Sequence, residues 1–545
     1  MKIKYAIYLV LIVFVSSCTE NFEDFNTDKK NPASVPGEAL FTNALKDLAD
    51  QMNTPDVNSN IWELWSQYWN ETTYVNETNY DIGDRDQPDF AFRWAYRRVL
   101  KDLDEAAKII SEDAVANAEE EVAKANKLHI IEILNVFVYQ RLVDIFGAVP
   151  YSEALDIGNV YPSYDMGADI YDDILVRLDA AISALDESAG SFGSEDVIYH
   201  GDVQAWKLFA NTLKLKIGIH LSDVNSAKAQ STIEAAVSAG IFGSASDEAL
   251  FPFQTSAPNF NPIHANLVAS GRNDYVAANT IIDIMVNLDD PRLDDYFDIN
   301  TIRPLQFPRD PATGSQTDAD FPDGVNKILF YPLPGGGYDP IFREGPFTVP
   351  AADTSAGIRV WLGGTYGDGT PWSSHTQVSL PIQEPTFQGL IMTYSQVLFY
   401  LAEAAERGYD VDGTPEEFYN AAITESILWW GGTQNEVDAY LAFPDVAYST
   451  ADGTWRKKIA YQSWISSYIN GSLGYTTWRR LDYPVLNITP NNDDIVDQTD
   501  IPVRFTFPVN EQTLNDVNYD NAANAIGGDN VSTKIFWDIY DAQIN

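Results

Sequence analysis

Cys18 is the only thiol in 545 residues, and its surroundings point to one reaction, alkylation of the sulfur by a diacylglycerol. Lys2 and Lys4 precede an apolar stretch from Tyr5 to Val15, and Val15-Ser16-Ser17-Cys18 sets one aliphatic and two small residues before the cysteine. A basic start, a short apolar run and small residues at the cut describe a signal peptide. The run falls short of the roughly 20 apolar residues that a membrane-crossing helix needs. Cleavage before Cys18 and lipidation there convert the thiol to a thioether, so the mature chain forms no disulfide. The acyl chains then hold the N-terminus at a membrane surface, and Thr19 directly after the cysteine is compatible with passage to an outer membrane.

Side chains for catalysis are harder to find. No Gly-x-Ser-x-Gly elbow occurs. The histidines, His129, His200, His220, His264 and His375, are scattered without the spacing of a zinc site. Among 79 Asp and Glu residues, pairs resembling the two carboxylates of a glycosidase arise by chance and carry no weight. Asp410-Val411-Asp412-Gly413 and Asn492-Asp493-Asp494 do not follow the ligand pattern of a calcium-binding EF-hand loop. The reading assigns no catalytic residue, metal or cofactor.

Aromatic rings interleaved with polar residues are the remaining chemistry. Rings stack on the apolar CH faces of sugars, and Asp, Asn and Arg pair with the hydroxyls. One cluster runs from Trp62 through Trp65, Tyr68, Trp69 and Tyr74 to Asn79-Tyr80, and a second is Trp361, Tyr366 and Trp372 amid Gly363-Gly364 and Gly367-Asp368-Gly369. Trp62, Trp65 and Trp69 keep helical spacing, so a buried stripe explains them as well as a site does. Tyr74 and Tyr80 fall beyond the expected helix end and are the better ligand candidates. Self-packing of a long loop is the competing account of the second cluster. Arg272 and Asp274 are a third possibility, with packing of the helix that follows as the alternative. The expected ligand residues are therefore Trp69, Tyr74, Tyr80, Arg272, Asp274, Trp361, Tyr366 and Trp372.

The elements that must position these groups are mostly helical. Apolar residues recur at helical spacing over Glu38–Met52, Gln87–Glu112, Ala116–Phe146, Gly167–Leu185, Val203–Leu221 and Ala227–Ala239, and again over Gln388–Gly408, Thr414–Trp430, Thr454–Ile469 and near Glu511–Ala523. Thr414-Pro415-Glu416-Glu417 is a helix start with a capping box, and Gly408 closes the helix before it. Two antiparallel pairs follow, 203–221 with 227–239 and 391–408 with 414–430, in the manner of tetratricopeptide hairpins, although no 34-residue period runs through the chain. Residues 301–372 hold ten of the 28 prolines together with Gly335-Gly336-Gly337. Their aromatics, Phe330, Tyr331 and Tyr338 among them, argue for an ordered, loop-rich insertion suited to binding. The expectation is a mainly α scaffold over 37–241 and 386–545 around an insertion at 242–385, preceded by a signal peptide (1–17) and a lipidated tether (18–36).

Charge narrows the partners. The formal net charge is −45, and removal of Lys2 and Lys4 with the leader takes it to −47. Such a surface repels phosphate backbones, so nucleic acid is excluded as a partner.

Several motif-like stretches follow one another along the chain: Leu142-Val143-Asp144-Ile145-Phe146-Gly147-Ala148-Val149-Pro150-Tyr151, Tyr199-His200-Gly201-Asp202 with Trp206, Gly271-Arg272-Asn273-Asp274-Tyr275, Leu288-Asp289-Asp290-Pro291-Arg292, Trp478-Arg479-Arg480-Leu481-Asp482 and Phe536-Trp537-Asp538. In this order they resemble the SusD/RagB family of nutrient-binding outer-membrane lipoproteins. The residues themselves read mostly as architecture: a glycine cap at Gly147, a capping turn at Gly201-Asp202, a helix stop at Asp290-Pro291, and an ion pair of Arg479 or Arg480 with Asp482 under a loop. The resemblance implies a SusD-like fold and capture of an oligosaccharide or oligopeptide. It also implies a SusC-type TonB-dependent transporter as partner, covered by the lipoprotein as a lid. A surface glycoside hydrolase or other degradative lipoprotein is the alternative, and an adhesion protein a third.

Overall fold

Chain propensity and capping set the helices before packing does. The computed structural model describes residues 35–298, 361–489 and 501–540, together with the backbone of short strands at 300–302, 316–317, 328–332, 338–342, 348–349 and 358–360. Cys18, the tether, Gly335-Gly336-Gly337, Asn492-Asp493-Asp494 and the side chains of Phe330, Tyr331 and Tyr338 lie outside the described residues. Among the described residues helix accounts for 53% and strand for 6%, so the fold is mainly α, as expected.

The first block contains α1 (Gly37–Asn53), the short α2 (Trp62–Trp65), α3 (Gln87–Trp94), α4 (Lys101–Glu112), α5 (Ala118–Phe146), α6 (Gly167–Ala184), α7 (Val203–Leu221) and α8 (Ser226–Ala239). A π-helical turn at Ala95–Leu100 joins α3 to α4. In α1, Phe41, Leu45, Leu48 and Met52 line one buried stripe. α5 begins where the Asn117 side chain accepts from the Glu120 amide at 3.0 Å, with Glu119, Glu120 and Glu121 in its first turn, where the helix dipole favours negative charge. Its length of about 43 Å ends at Gly147, whose φ of +80° is the left-handed cap that glycine provides without strain.

The second block holds α9 (Asn279–Asn287), α10 (Tyr394–Glu406), α11 (Pro415–Trp429), α12 (Gln434–Leu441), α13 (Trp455–Ser466) and α14 (Gly471–Leu481). α7 packs on α8 and α10 on α11, as the hairpin reading expects, and Thr414 with Glu417 forms the full capping box. A buried charge network ties the block together. Glu403 pairs with Arg407 and Arg480 at 2.9 and 2.5 Å, and Asp223 pairs with Arg407 and Arg456 at 2.8 and 2.7 Å.

Three expectations are corrected. Residues 389–392 form a strand rather than the start of a helix, pairing with 249–251. α12 and α14 escaped the periodicity reading. α14 contains Gly471, Gly474, Thr476 and Thr477, which are poor helix formers, yet a Cβ at Gly471 would lie 2.4 Å from the Trp62 backbone and one at Gly474 2.1 Å from the Tyr68 hydroxyl. Close approach to α2 decides the helix there, overriding propensity. Arg479 and Arg480 therefore sit in the last turn of α14 and not under a loop. Arg480 bonds Glu403, and Arg479 donates to the carbonyls of Asp144 and Val503.

Between the blocks the backbone leaves and returns by antiparallel pairs, 297–298 with 377–378 and 300–302 with 358–360. That return places the loop 361–376 beside the N-terminus of α9.

Candidate ligand-binding face

A short two-stranded ladder is the seed of this face. β1 (Trp69–Glu71) pairs antiparallel with β2 (Tyr275–Ala277), Asn70 opposite Val276. The loop 361–376 lies against the same strands. Gly364 donates to the Ala277 carbonyl at 2.8 Å, Asn279 to the Gly364 carbonyl at 2.8 Å, and Ala277 to the Thr376 carbonyl at 2.9 Å. Gly363 is required there, because a Cβ would fall 2.4 Å from the Asn279 Cα.

Buried and half-buried side chains complete the weld. Asn70 donates to the Asp368 carbonyl at 2.9 Å and to Thr370 Oγ1 at 3.1 Å, and it accepts from the Gly367 amide at 3.0 Å. Asn79 donates to the Gly367 carbonyl at 2.7 Å. Thr72 reaches across to 273–274, its amide to the Asp274 carbonyl at 2.8 Å and its hydroxyl to the Asn273 carbonyl at 2.7 Å. The three sequence clusters, far apart along the chain, thus meet on one face.

Burial divides the eight expected ligand residues. Trp69, Tyr80, Trp361 and Tyr366 are 0%, 3%, 2% and 1% exposed, so no ring face is left for a ligand, and their assignment as ligand contacts is corrected. They form the layer beneath the loops. Trp69 Nε1 donates to the Tyr468 hydroxyl at 3.0 Å, the Tyr366 hydroxyl donates to the Leu64 carbonyl at 2.8 Å, and the Tyr80 ring lies between Trp65 and Tyr366. Tyr74 and Trp372, by contrast, are 75% and 37% exposed. Arg272 is exposed and Asp274 half-buried, and the two are ion-paired at 2.8 Å. An exposed rim of two rings, a guanidinium and a carboxylate remains, bordered by Thr73, Asn273 and Asp368.

Sequence position gave Tyr74 and Tyr80 the same standing, and the backbone separates them. Both sit at positive φ, +59° and +67°, which side chains of this bulk adopt only when their surroundings impose it. The imposing groups are Glu71 and Glu77. Glu71 accepts from the amide and hydroxyl of Thr78 at 3.0 and 2.9 Å, while Glu77 binds Arg85 at 2.6 Å and accepts from Gln87 at 3.0 Å. The chain folds back over this buried pair, carrying Tyr80 inward and leaving Tyr74 outside. Asn70, Asn79, Glu71 and Glu77 are the positioning residues that the sequence did not single out. Their signal was present only as polar residues set among aromatics.

Burial, reinforced by the neighbouring Glu77, pushes the Glu71 carboxyl up to about 9. Burial also raises Glu63 to about 8 and Glu248 to about 7. The folded chain holds these protons where the unfolded chain, with ordinary carboxyls near 4.5, has released them. Their contribution is therefore complete below about pH 4.5 and is lost as pH rises through 7, 8 and 9. Each such proton adds a slope of about 1.4 kcal/mol per pH unit. Melting temperature is expected to fall steadily from pH 6 to 9.5, and Glu71→Gln to flatten that fall. A melting temperature constant over this range would contradict the buried, protonated carboxyls.

A second concavity, of about 340 Å³, lies on another part of the surface, lined by Phe92, Tyr96, Arg97, Lys101, Leu155 and Glu511 among others. Arg97 has no ion-pair or hydrogen-bond partner among the described residues. The sequence signal was a run of cations, Arg93, Arg97, Arg98 and Lys101, in a strongly acidic chain.

Comparison with known proteins follows the same division of fold and site. The profile of a SusD-like family, described as starch-binding and associating with the outer membrane, matches residues 29–306 and 352–508. Among solved structures, a chitin-binding protein is similar with 25% identity and a TM-score of 0.73, over 92% of this chain and 100% of that one. A chitin-binding SusD homologue from Flavobacterium johnsoniae has 21% identity and a TM-score of 0.69, covering 93% and 98%. A SusD homologue from Bacteroides uniformis has 23% identity and a TM-score of 0.69, covering 92% and 99%. No curated protein sequence matches the chain.

Proposed function

The chain belongs to the SusD-like family, and we propose that it captures an oligosaccharide on the face of Tyr74, Trp372, Arg272 and Asp274 and delivers it to a SusC-type TonB-dependent transporter. The lipid on Cys18 holds it at the outer membrane, facing outward, and the tether from Thr19 lets the body hinge over the barrel as a lid. The observation that carries the ligand reading is the convergence of three separate chain segments on one exposed face, with rings for sugar stacking and a guanidinium and carboxylate for hydroxyls. The family description and the names of two similar structures favour a glycan over an oligopeptide, so chitin and starch oligosaccharides are the first ligands to test.

Incubation of the soluble chain, lacking residues 1–18, with a polysaccharide panel is expected to give retention without products. Released sugars would instead support the surface hydrolase. A stacked ring contributes about 0.5–1.5 kcal/mol beyond the area it buries. Tyr74→Ala and Trp372→Ala are each expected to weaken binding by roughly two- to tenfold, with melting temperature nearly unchanged because both rings already face solvent. A large fall in melting temperature at unaltered affinity would mean that these rings are structural.

A further inference from the structure

Independently of the ligand face, α5, α7 and α14, with residues of α1, α2 and α10, line a cavity of about 30 Å³ that includes Phe137, Arg141, Asp144, Lys216, Ser472 and Arg479. Lys216 is 8% exposed, and its Nζ has neither a hydrogen-bond nor an ion-pair partner among the described residues. It lies 5.6 Å from the centre of the Phe137 ring, and the Arg141 guanidinium lies 5.9 Å from the same ring. Among the described residues Arg141 donates only to neutral acceptors, Ser472 Oγ at 3.1 Å and Gln51 Oε1 at 3.4 Å. Arg479 donates to two carbonyls and the Thr476 hydroxyl, leaving its buried Nε unmatched.

Asp144 is the only carboxylate among the residues lining the cavity, and it is committed elsewhere. It accepts from the Tyr171 hydroxyl at 2.5 Å, from Trp537 Nε1 at 2.9 Å and from Gln140 Nε2, and lies 3.5 Å from His220 Nδ1. Neither Lys216 nor Arg141 comes within ion-pair distance of a carboxylate among the described residues. Asp144 attracts both cations from beyond ion-pair distance, but Arg141, Lys216 and Arg479 set three cations against that one carboxylate, and a buried cation without a direct ion pair is costly. It is also out of place in a chain of net charge −45, where acidic partners abound.

We propose that this cavity is an inorganic anion site, in which a halide ion, chloride in practice, is held between Lys216 Nζ and the Arg141 guanidinium. A volume of about 30 Å³ takes roughly two water-sized groups, which suits a halide and excludes sulfate, phosphate or a sugar. The bound ion supplies the missing charge and ties α1, through Gln51 and Arg141, to α5, α7 and α14. Burial, the largest influence on each, lowers Lys216 to about 8 and Arg141 to about 10, and the attraction of Asp144 offsets it only in part. Binding to the folded chain alone stabilises it in proportion to the logarithm of anion concentration once the site fills.

Crystals of the soluble chain grown in sodium bromide, measured at the bromine absorption edge, are expected to show an anomalous peak touching Lys216 and Arg141. Melting temperature is expected to be higher in sodium chloride than in sodium gluconate at equal ionic strength. Lys216→Met is expected to lose both the peak and the chloride-dependent increment. If that variant does not fold, the two wild-type measurements decide. A cavity without bromide overturns the site, as does a wild-type melting temperature that is the same in both salts.

Discussion

Replacing Asp290 by alanine is expected to destabilise the chain by about 3–5 kcal/mol, the loss typical of leaving one partner of a buried ion pair uncompensated. The side chains of Asp290 and Arg292 are both fully buried, and Arg292 grips the carboxylate through Nε at 2.8 Å and Nη2 at 2.5 Å. The remaining donors are satisfied by Ser426 at 2.9 Å and Gln462 at 3.0 Å, while the Tyr440 hydroxyl donates to Asp290 at 2.7 Å. The network joins the end of α9 to α11, α12 and α13, so its loss is felt across the second helical block. It also reaches the ligand face, because Asn279 at the start of α9 holds Gly364 and Tyr366. Urea unfolding followed by circular dichroism measures the change. A loss below about 1 kcal/mol, the range of exposed pairs, would show that water reaches the carboxylate. Substituting apolar residues of similar size for both partners is expected to recover much of the stability.

The largest effect on binding from a residue that need not touch the ligand is expected at Asn70. Its side chain is 0% exposed and holds the 367–370 segment by three hydrogen bonds. Asn70→Ala leaves the Gly367 amide without its acceptor, and a buried unsatisfied group costs about 1–3 kcal/mol. Asp368 and Thr370 lose their tie to the strand and keep only the bond between the Thr370 hydroxyl and the Asp368 carbonyl at 3.1 Å. The loop escapes part of that penalty by opening to solvent, which displaces Trp372, two residues beyond Thr370. Affinity is therefore expected to fall more than tenfold while the helical scaffold stays folded. Hydrogen exchange should show faster exchange confined to residues near 364–376 and 70–80. Unchanged exchange there, or a global loss of protection, would contradict the positioning role.

Local signals carried the helices. The capping box at Thr414, the glycine caps at Gly147 and Gly408 and the amphipathic stripes are short-range features, legible from neighbouring residues alone. α14 was not, because its glycines are explained by Trp62 and Tyr68, some 400 residues away. The strand at 389–392 was hidden for the same reason, its partner at 249–251 being remote.

The site was legible as a composition and not as a surface. Rings among Asn, Asp and Gly marked the right segments, but residue type cannot say which ring faces water. Tyr74 and Tyr80 differ through a backbone reversal imposed by Glu71, Glu77 and Thr78, and Trp361 and Trp372 through the ladder that buries one end of their loop. Those are long-range hydrogen bonds with no short-range trace. The cations of the internal cavity were equally silent in sequence, since Arg141 and Lys216 each read as ordinary helix residues.

The central claim is that the face built from residues 72–74, 272–274 and 368–372 receives the glycan. A crystal structure of the soluble chain with an oligosaccharide found to bind in solution tests it most directly. The account predicts sugar density stacked on Trp372 or Tyr74, with hydroxyls bonded to Arg272, Asp274 or Asp368. Density seated elsewhere, for example in the concavity beside Arg97, with these rings untouched, would contradict it.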